Sequence, residues 1–232
     1  MKTHSLWVTV LVSVLAAPAL VRADAGRLKN AEAVLNEMAG AADSGIPRSL
    51  IGKAKCIVIV PGVKKGAIGF GGQYGRGYIS CRATSPNSAD AAAPVVAGRW
   101  TAPGGIRIEG GSIGLQIGGS DTDVIMLVMN DRGVDRLLSS RFTVGADAAV
   151  AAGPVGRQAS AQTDATMMAE ILAWSRSRGA FAGVSLQGST LREDSGENKE
   201  LYGREISNRE IVKSQPAVPA SAESFMKALS KY

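Results

Sequence analysis

From Ala54 onward the chain leaves helical periodicity for short runs of β-formers broken by glycine, and this restricts the fold more than any other feature. Cys56-Ile57-Val58-Ile59-Val60 is a fully apolar strand stopped by Pro61-Gly62. Residues 66–72 and 76–82 read as two more strands around a turn at Gly72-Gln73-Tyr74-Gly75, and Ile106–Glu109, Ser112–Gly118 and Val124–Met129 continue the series. Glycines recur at Gly104, Gly105, Gly110, Gly111, Gly114, Gly118 and Gly119. In strands they mark bulges, bends or close backbone approach, as a strongly curved antiparallel sheet requires.

Helical patterns flank this region. Leu28, Ala31, Leu35, Met38 and Ala42 fall at helical spacing, with Arg27, Lys29, Asn30, Glu32, Asn36 and Glu37 on the other face. That stripe is alanine-rich and has no aromatic residue, so packing on the domain is favoured over lying on a membrane. Asp131 is placed to cap a helix reaching about Ser140, with Val134, Leu137 and Leu138 on one face. Residues 83–98 form an exposed loop, Glu170–Ser175 and Ala180–Gly188 read as strands, and a helix from about Ser221 to Leu229 follows Pro216 and Pro219. The predicted fold is α+β: one domain with a curved or barrel-like, mainly antiparallel β core and flanking helices.

The N-terminus has the form of a secretory signal peptide. Lys2 is followed by an apolar core from Leu6 to Leu15 and a small-x-small site, Val21-Arg22-Ala23, before Asp24. Export and cleavage would leave a periplasmic or secreted protein that is soluble or peripheral to the membrane. The expected organisation is a signal peptide at 1–23, an N-terminal helix and lead-in at 24–47, the main domain at 48–206, and a C-terminal linker and helix at 207–232.

Charge is unevenly distributed. Between Arg48 and Arg107 stand nine bases (Arg48, Lys53, Lys55, Lys64, Lys65, Arg76, Arg82, Arg99, Arg107) against one acid, Asp90, in a chain whose net charge is only +6. Such a segment favours anionic partners. The single histidine, His4, lies in the signal peptide, which excludes serine–histidine and cysteine–histidine catalysis and imidazole metal sites in the mature chain. Asp121 with Asp123, and Glu193 with Asp194, are the close acid pairs; neither has the ligand spacing of a calcium loop. Gly69, Gly71, Gly72, Gly75 and Gly77 do not fit the dinucleotide fingerprint, and no phosphate-loop motif occurs. No enzymatic activity, cofactor, metal or nucleic-acid partner is expected.

Cys56 and Cys81 are a candidate disulfide in an exported protein. They would face each other if residues 55–82 form one long hairpin, and would start at opposite ends of a three-strand meander. Buried free thiols are the alternative.

Several blocks resemble the SYLF domain family, a lipid-binding or actin-binding domain found in bacteria and eukaryotes. They are Ala54–Pro61, Gly71–Gly77, Gly98–Pro103, Gly110–Gly118, Ala152–Arg157 and Ser175–Gly183, completed by Asn198 with Tyr202-Gly203. They occur in the family's order from about Ala31 to Ile206. The resemblance implies a non-enzymatic domain that binds anionic phospholipid, with actin binding in some members. For an exported bacterial member, peripheral binding of anionic phospholipid at the envelope is the expectation; an envelope protein-interaction or scaffold role on the same basic face is the alternative. The candidate lipid-binding residues are Lys64, Lys65, Arg76, Arg99 and Trp100. Four bases at about 1 kcal/mol each give only roughly millimolar affinity. Trp100 would either insert at the interface, as indole favours, or pack in the core.

Overall fold

The computed structural model describes residues 19–41, 45–83, 99–154, 169–177, 180–182, 186 and 188–232, with backbone alone at 19–25, 67–70, 112–119 and 180–182. The expected apolar signal core and most of the expected 83–98 loop lie outside the described residues. The chain is α+β, a mixed sheet curled into a half-barrel with flanking helices in a single domain.

What reads as six short strands is two long ones. β1 runs from Cys56 to Cys81, and β2 from Gly104 to Val128. They pair antiparallel from Cys56↔Val128 to Ile79↔Gly104. The expected turn at Pro61-Gly62 is a bulge, where the register shifts between Val60 and Val63. Gly62 takes φ +57°, and its N–H donates to Asp123 Oδ1 at 3.0 Å. The expected turn at Gly72–Gly75 lies within β1.

A straight strand as long as β1 would span about 85 Å, roughly twice the diameter of a domain this size. β1 instead turns back on itself. Arg82 N donates to Lys55 O at 2.7 Å, and Cys56 and Cys81 are joined by a disulfide with Cα atoms 3.9 Å apart. Side-chain alternation agrees with this return. Cys56, Val58 and Val60 share one core with Ile79 and Cys81, whereas Ile57 and Ile59 share the other with Tyr78. The meander is thus not formed; β1 is one long strand that doubles back and brings Cys56 opposite Cys81.

β2 pairs with β1 along its length, so its end lies beside the start of β1. β5 (Ile171–Ser177) pairs with the end of β2, and β7 (Thr190–Glu193) with its beginning. β3 (Phe142–Thr143) pairs with β7, β4 (Val150–Ala152) lies parallel to β5, and β6 (Ala180–Ala182) extends β5.

Both faces of the sheet are covered, which is why Cys56–Val60 reads as an unbroken apolar run. On one face, α1 (Ala19–Gly40) buries Leu28, Ala31, Val34, Leu35 and Met38 against Ile57, Ile59 and Tyr78, together with α2 (Arg48–Lys53). The C-terminal helix (Glu223–Leu229), entered by a 3₁₀ turn at Ala220–Ala222, joins that face through Phe225 and Leu229. On the other face, α3 (Asp131–Leu137) covers Val58, Met126 and Val128 with Leu137. Asn130 rather than Asp131 caps α3, accepting from Gly133 N.

Two further helices, α4 (Ser195–Tyr202) and α5 (Asn208–Ser214), lie where no helix is predicted; the C-terminal helix is therefore α6. Their signals were in the sequence. Asp194 and Ser207 each precede a glutamate by three residues and accept from Glu197 N and Glu210 N, and Gly203 ends α4 at φ +68°.

The return of β1 demands glycine at one contact. A Cβ on Gly77 would collide with the Ile59 carbonyl and stand 2.7 Å from Val60 Cα. Gly77→Ala is expected to cost about 3 kcal/mol in a urea unfolding titration. Gly52→Ala on α2, where a Cβ meets nothing within 4 Å, should be neutral or slightly stabilising. Reducing the Cys56–Cys81 bond should lower stability by about 3 kcal/mol, read as a fall in urea midpoint on adding dithiothreitol.

Candidate functional site

The nine bases of the Arg48–Arg107 segment do not converge on one face. Arg82 is a structural tie. It donates to Ile51 O at 3.2 Å and Tyr232 O at 2.8 Å, and its guanidinium lies 3.9 Å from the centre of the Trp100 ring. Trp100 itself is 4% exposed and belongs to the core beneath α1, so it is not available for insertion between lipids. Arg48 lies over the Tyr232 ring at 5.3 Å, and Lys55 pairs with Asp131 at 3.4 Å. Arg99 is exposed beside the 84–98 segment, away from the groove described next.

Lys64 and Arg76 on β1 line one groove, and Lys65, next to Lys64 on the strand, is not among its lining residues. An open groove of about 890 Å3 between α1 and the ribbon is lined by Arg27, Asn30, Lys64, Tyr74, Arg76 and Asp121 among others. Lys64 is exposed, with Asp121 as its cross-strand partner. Lys65 is half-buried, and desolvation lowers its pKa. Tyr74 is 50% exposed at the groove edge.

Arg76 is committed to a buried network. Its Nε donates to Asp194 Oδ2 at 2.5 Å and its Nη2 to Glu197 Oε2 at 3.1 Å. Burial by itself would lower the Arg76 pKa, but the hydrogen bond and charge of Asp194, with the charges of Glu197 and Tyr74, raise it. Glu197, whose side chain is 2% exposed, also accepts from Arg27 on α1 and from the Tyr78 hydroxyl on β1. One carboxylate thus joins α1, β1 and α4.

The other acid pairs are likewise engaged with the fold. Asp123 binds Arg176 at 2.8 Å, Arg176 also reaches Glu37, and Glu193 accepts from Asn208 N at 2.6 Å. Among the described residues no cluster of three or more potential metal ligands occurs. No described helix is long and apolar enough to cross a membrane.

Residues from the blocks quoted above prove to be pins of this architecture. Asn198 Oδ1 accepts from Gly105 N at 2.6 Å, and its Nδ2 donates to Ile206 O and Asn208 Oδ1. The Tyr202 hydroxyl donates to Pro103 O at 2.7 Å, and desolvation raises its pKa. Trp174 Nε1 donates to Pro154 O at 3.0 Å, with Gly153 packed against the indole.

Glu197→Ala would leave two guanidinium groups and a buried phenol without their shared acceptor. The expected loss is about 3–5 kcal/mol of unfolding free energy by urea titration, with a smaller loss for Glu197→Gln.

Comparison with known proteins bears on what such a domain is. The family model described as Ysc84: Las17-binding protein actin regulator matches residues 109–232. An SH3 domain-containing protein of Schizosaccharomyces pombe is 33% identical over 188 residues, 80% of this chain and 41% of that protein. Protein YSC84 of Saccharomyces cerevisiae is 30% identical over 84% of this chain and 39% of its own length. SH3 domain-containing YSC84-like protein 1 of Homo sapiens is 30% identical over 82% of this chain and 52% of its own length. The chain therefore spans about two fifths to one half of these curated relatives. With the family model matching more than half of its residues, and the ordered blocks around the Asn198 and Tyr202 pins, the chain belongs to the Ysc84 (SYLF) family.

Proposed function

We propose that this chain is a non-enzymatic module that binds anionic phospholipid peripherally at the bacterial envelope, using the end of the doubled-back β1–β2 ribbon that lies midway along both strands. The observation that carries this reading is the composition of that end. β1 residues 66–75 and β2 residues 110–120 contain no charged residue, and they include Ile68, Phe70, Ile113, Leu115 and Ile117. Their backbones are paired, Ile68 with Ile117 and Phe70 with Ile113. The pairings of β2 with β7 and β5 end at Glu109 and Asp123, below this uncharged stretch.

Lys64 and Lys65 stand where the charged part of β1 stops. A bilayer would take the apolar end at its interface and the lysine ammonium groups at the headgroups. Charge supplies about 1 kcal/mol per base, while each large apolar side chain removed from water adds about 2 kcal/mol. In this reading the uncharged stretch supplies the apolar contribution that Trp100, held in the core, does not. Export is part of the proposal. Cleavage after Ala23 would spare Arg27, Leu28 and every later packed residue of α1, and an oxidising compartment would keep the disulfide.

A second reading is a protein-interaction module, favoured by the family description as a Las17-binding actin regulator. The exposed Lys64 and Tyr74 would then meet an acidic protein surface.

Vesicle co-sedimentation tests the first reading. Phosphatidylglycerol vesicles should bind the chain at low salt and phosphatidylcholine vesicles should not. A Lys64→Glu/Lys65→Glu variant should bind at least about tenfold more weakly, in line with two bases near the surface. Phe70→Ser should reduce the binding that survives high salt. Equal absence of binding to both lipids would sink the lipid reading, and pelleting with filamentous actin in the same assay would favour the second.

A further inference from the structure

The sheet register brings together arginines that are far apart in sequence. Arg107 on β2 is the cross-strand partner of Arg76 on β1 and of Arg192 on β7. Arg141 immediately precedes β3, whose Phe142 pairs with Leu191, so its backbone continues the row past Arg192. Paired residues share a face of the sheet, and like charges directly opposite one another destabilise it.

At one end of the row Arg76 is neutralised by Asp194 and Glu197. At the other end the balance fails. Arg107 and Arg192 share a single carboxylate, Glu109, at 3.0 and 3.8 Å. The buried Nε–H groups of both arginines make no hydrogen bond among the described residues, so Glu109 holds them by charge. Arg141 is exposed and has no ion pair among the described residues. Two guanidinium groups thus share one carboxylate, and Arg141 stands next in the row. Arg141, Arg192 and Glu109 line an open groove of about 490 Å3 that also includes Gln73, Tyr74 and Thr190. A phosphate group answers this arrangement, because its oxygens accept paired N–H bonds from guanidinium groups.

We propose that Arg107, Arg192 and Arg141 form a binding site for a phosphate group, either on a soluble phosphate compound or on a phosphomonoester lipid headgroup, with Glu109 as the carboxylate that holds the arginines in place when the site is empty. This goes beyond membrane binding by the ribbon end, since a soluble phosphate compound would occupy the site with no bilayer present. Glu109 sets the affinity: its charge opposes the incoming anion while its position orients two of the donors.

The test is calorimetric titration of the full chain with inorganic pyrophosphate, alongside co-sedimentation with vesicles of phosphatidic acid in phosphatidylcholine. Arg141→Gln and Arg192→Gln should each weaken binding about tenfold, and Glu109→Gln should tighten it severalfold. The Lys64→Glu/Lys65→Glu variant should leave pyrophosphate binding unchanged, which separates this site from the ribbon end. Binding to phosphatidic acid alone, weakened by the same arginine variants, would assign the phosphate to a lipid headgroup. Arg141 lies outside the strands, so Arg141→Gln carries the test even if Arg192→Gln lowers the melting temperature. Absence of binding to both probes, or affinity unchanged in both arginine variants, would overturn the proposal.

Discussion

Everything in this domain depends on the place where β1 comes back against itself. The return is closed by the Arg82 N–Lys55 O hydrogen bond and the Cys56–Cys81 disulfide, and it is sterically possible because Gly77 presents no Cβ to the Ile59 carbonyl. Once β1 doubles back, β2, paired along its length, turns with it, and its two ends are offered separately to β7 and β5. The sheet then grows in both directions from one folded ribbon, and both of its faces need cover. α1, α2 and α6 supply one cover; α3 helps to supply the other.

Buried polar groups set the alignment of that cover. Glu197 satisfies Arg27, Arg76 and Tyr78 from three separate elements, and Asn198 beside it ties Gly105 to the start of α5. Burying so many polar groups is favourable only when all of them are matched, so such a network specifies one arrangement more sharply than apolar packing does. It also removes Arg76 from the count of free cations, while Arg82 and Trp100 are drawn into the closure around α2 and the C-terminus. Among the described residues, the exposed Lys64 and the arginine row farther along the sheet are not drawn into that network.

The two proposed sites differ in physical kind. The ribbon end combines an uncharged, apolar stretch with lysines, flexible and strongly hydrated cations suited to a diffuse anionic plane. The row offers planar donors at fixed cross-strand spacing, suited to a discrete oxyanion. Neither rests on the total charge of the molecule, which understates both.

Much was legible in the residues themselves. The α+β class, the helical stripe of α1, the apolar strand at Cys56–Val60 and the curvature signalled by glycine all follow from local periodicity and backbone sterics, which neighbouring residues determine. The ordered blocks carried the family. Pro61-Gly62 misled because the same dipeptide that starts a turn also makes a bulge, and only the partner strand decides between them; α4 and α5 were missed although their capping boxes were written out. The face on which each base sits was not legible. Arg192 and Arg141 lie 85 and 34 positions from Arg107, and only the antiparallel register of β2, β7 and β3 makes them neighbours. The sequence by itself determined which stretches extend, which coil and how much charge each carries. Tertiary structure decided which charges meet, because hydrogen-bond register between distant strands, and the burial of one carboxylate among three elements, are properties of no single segment.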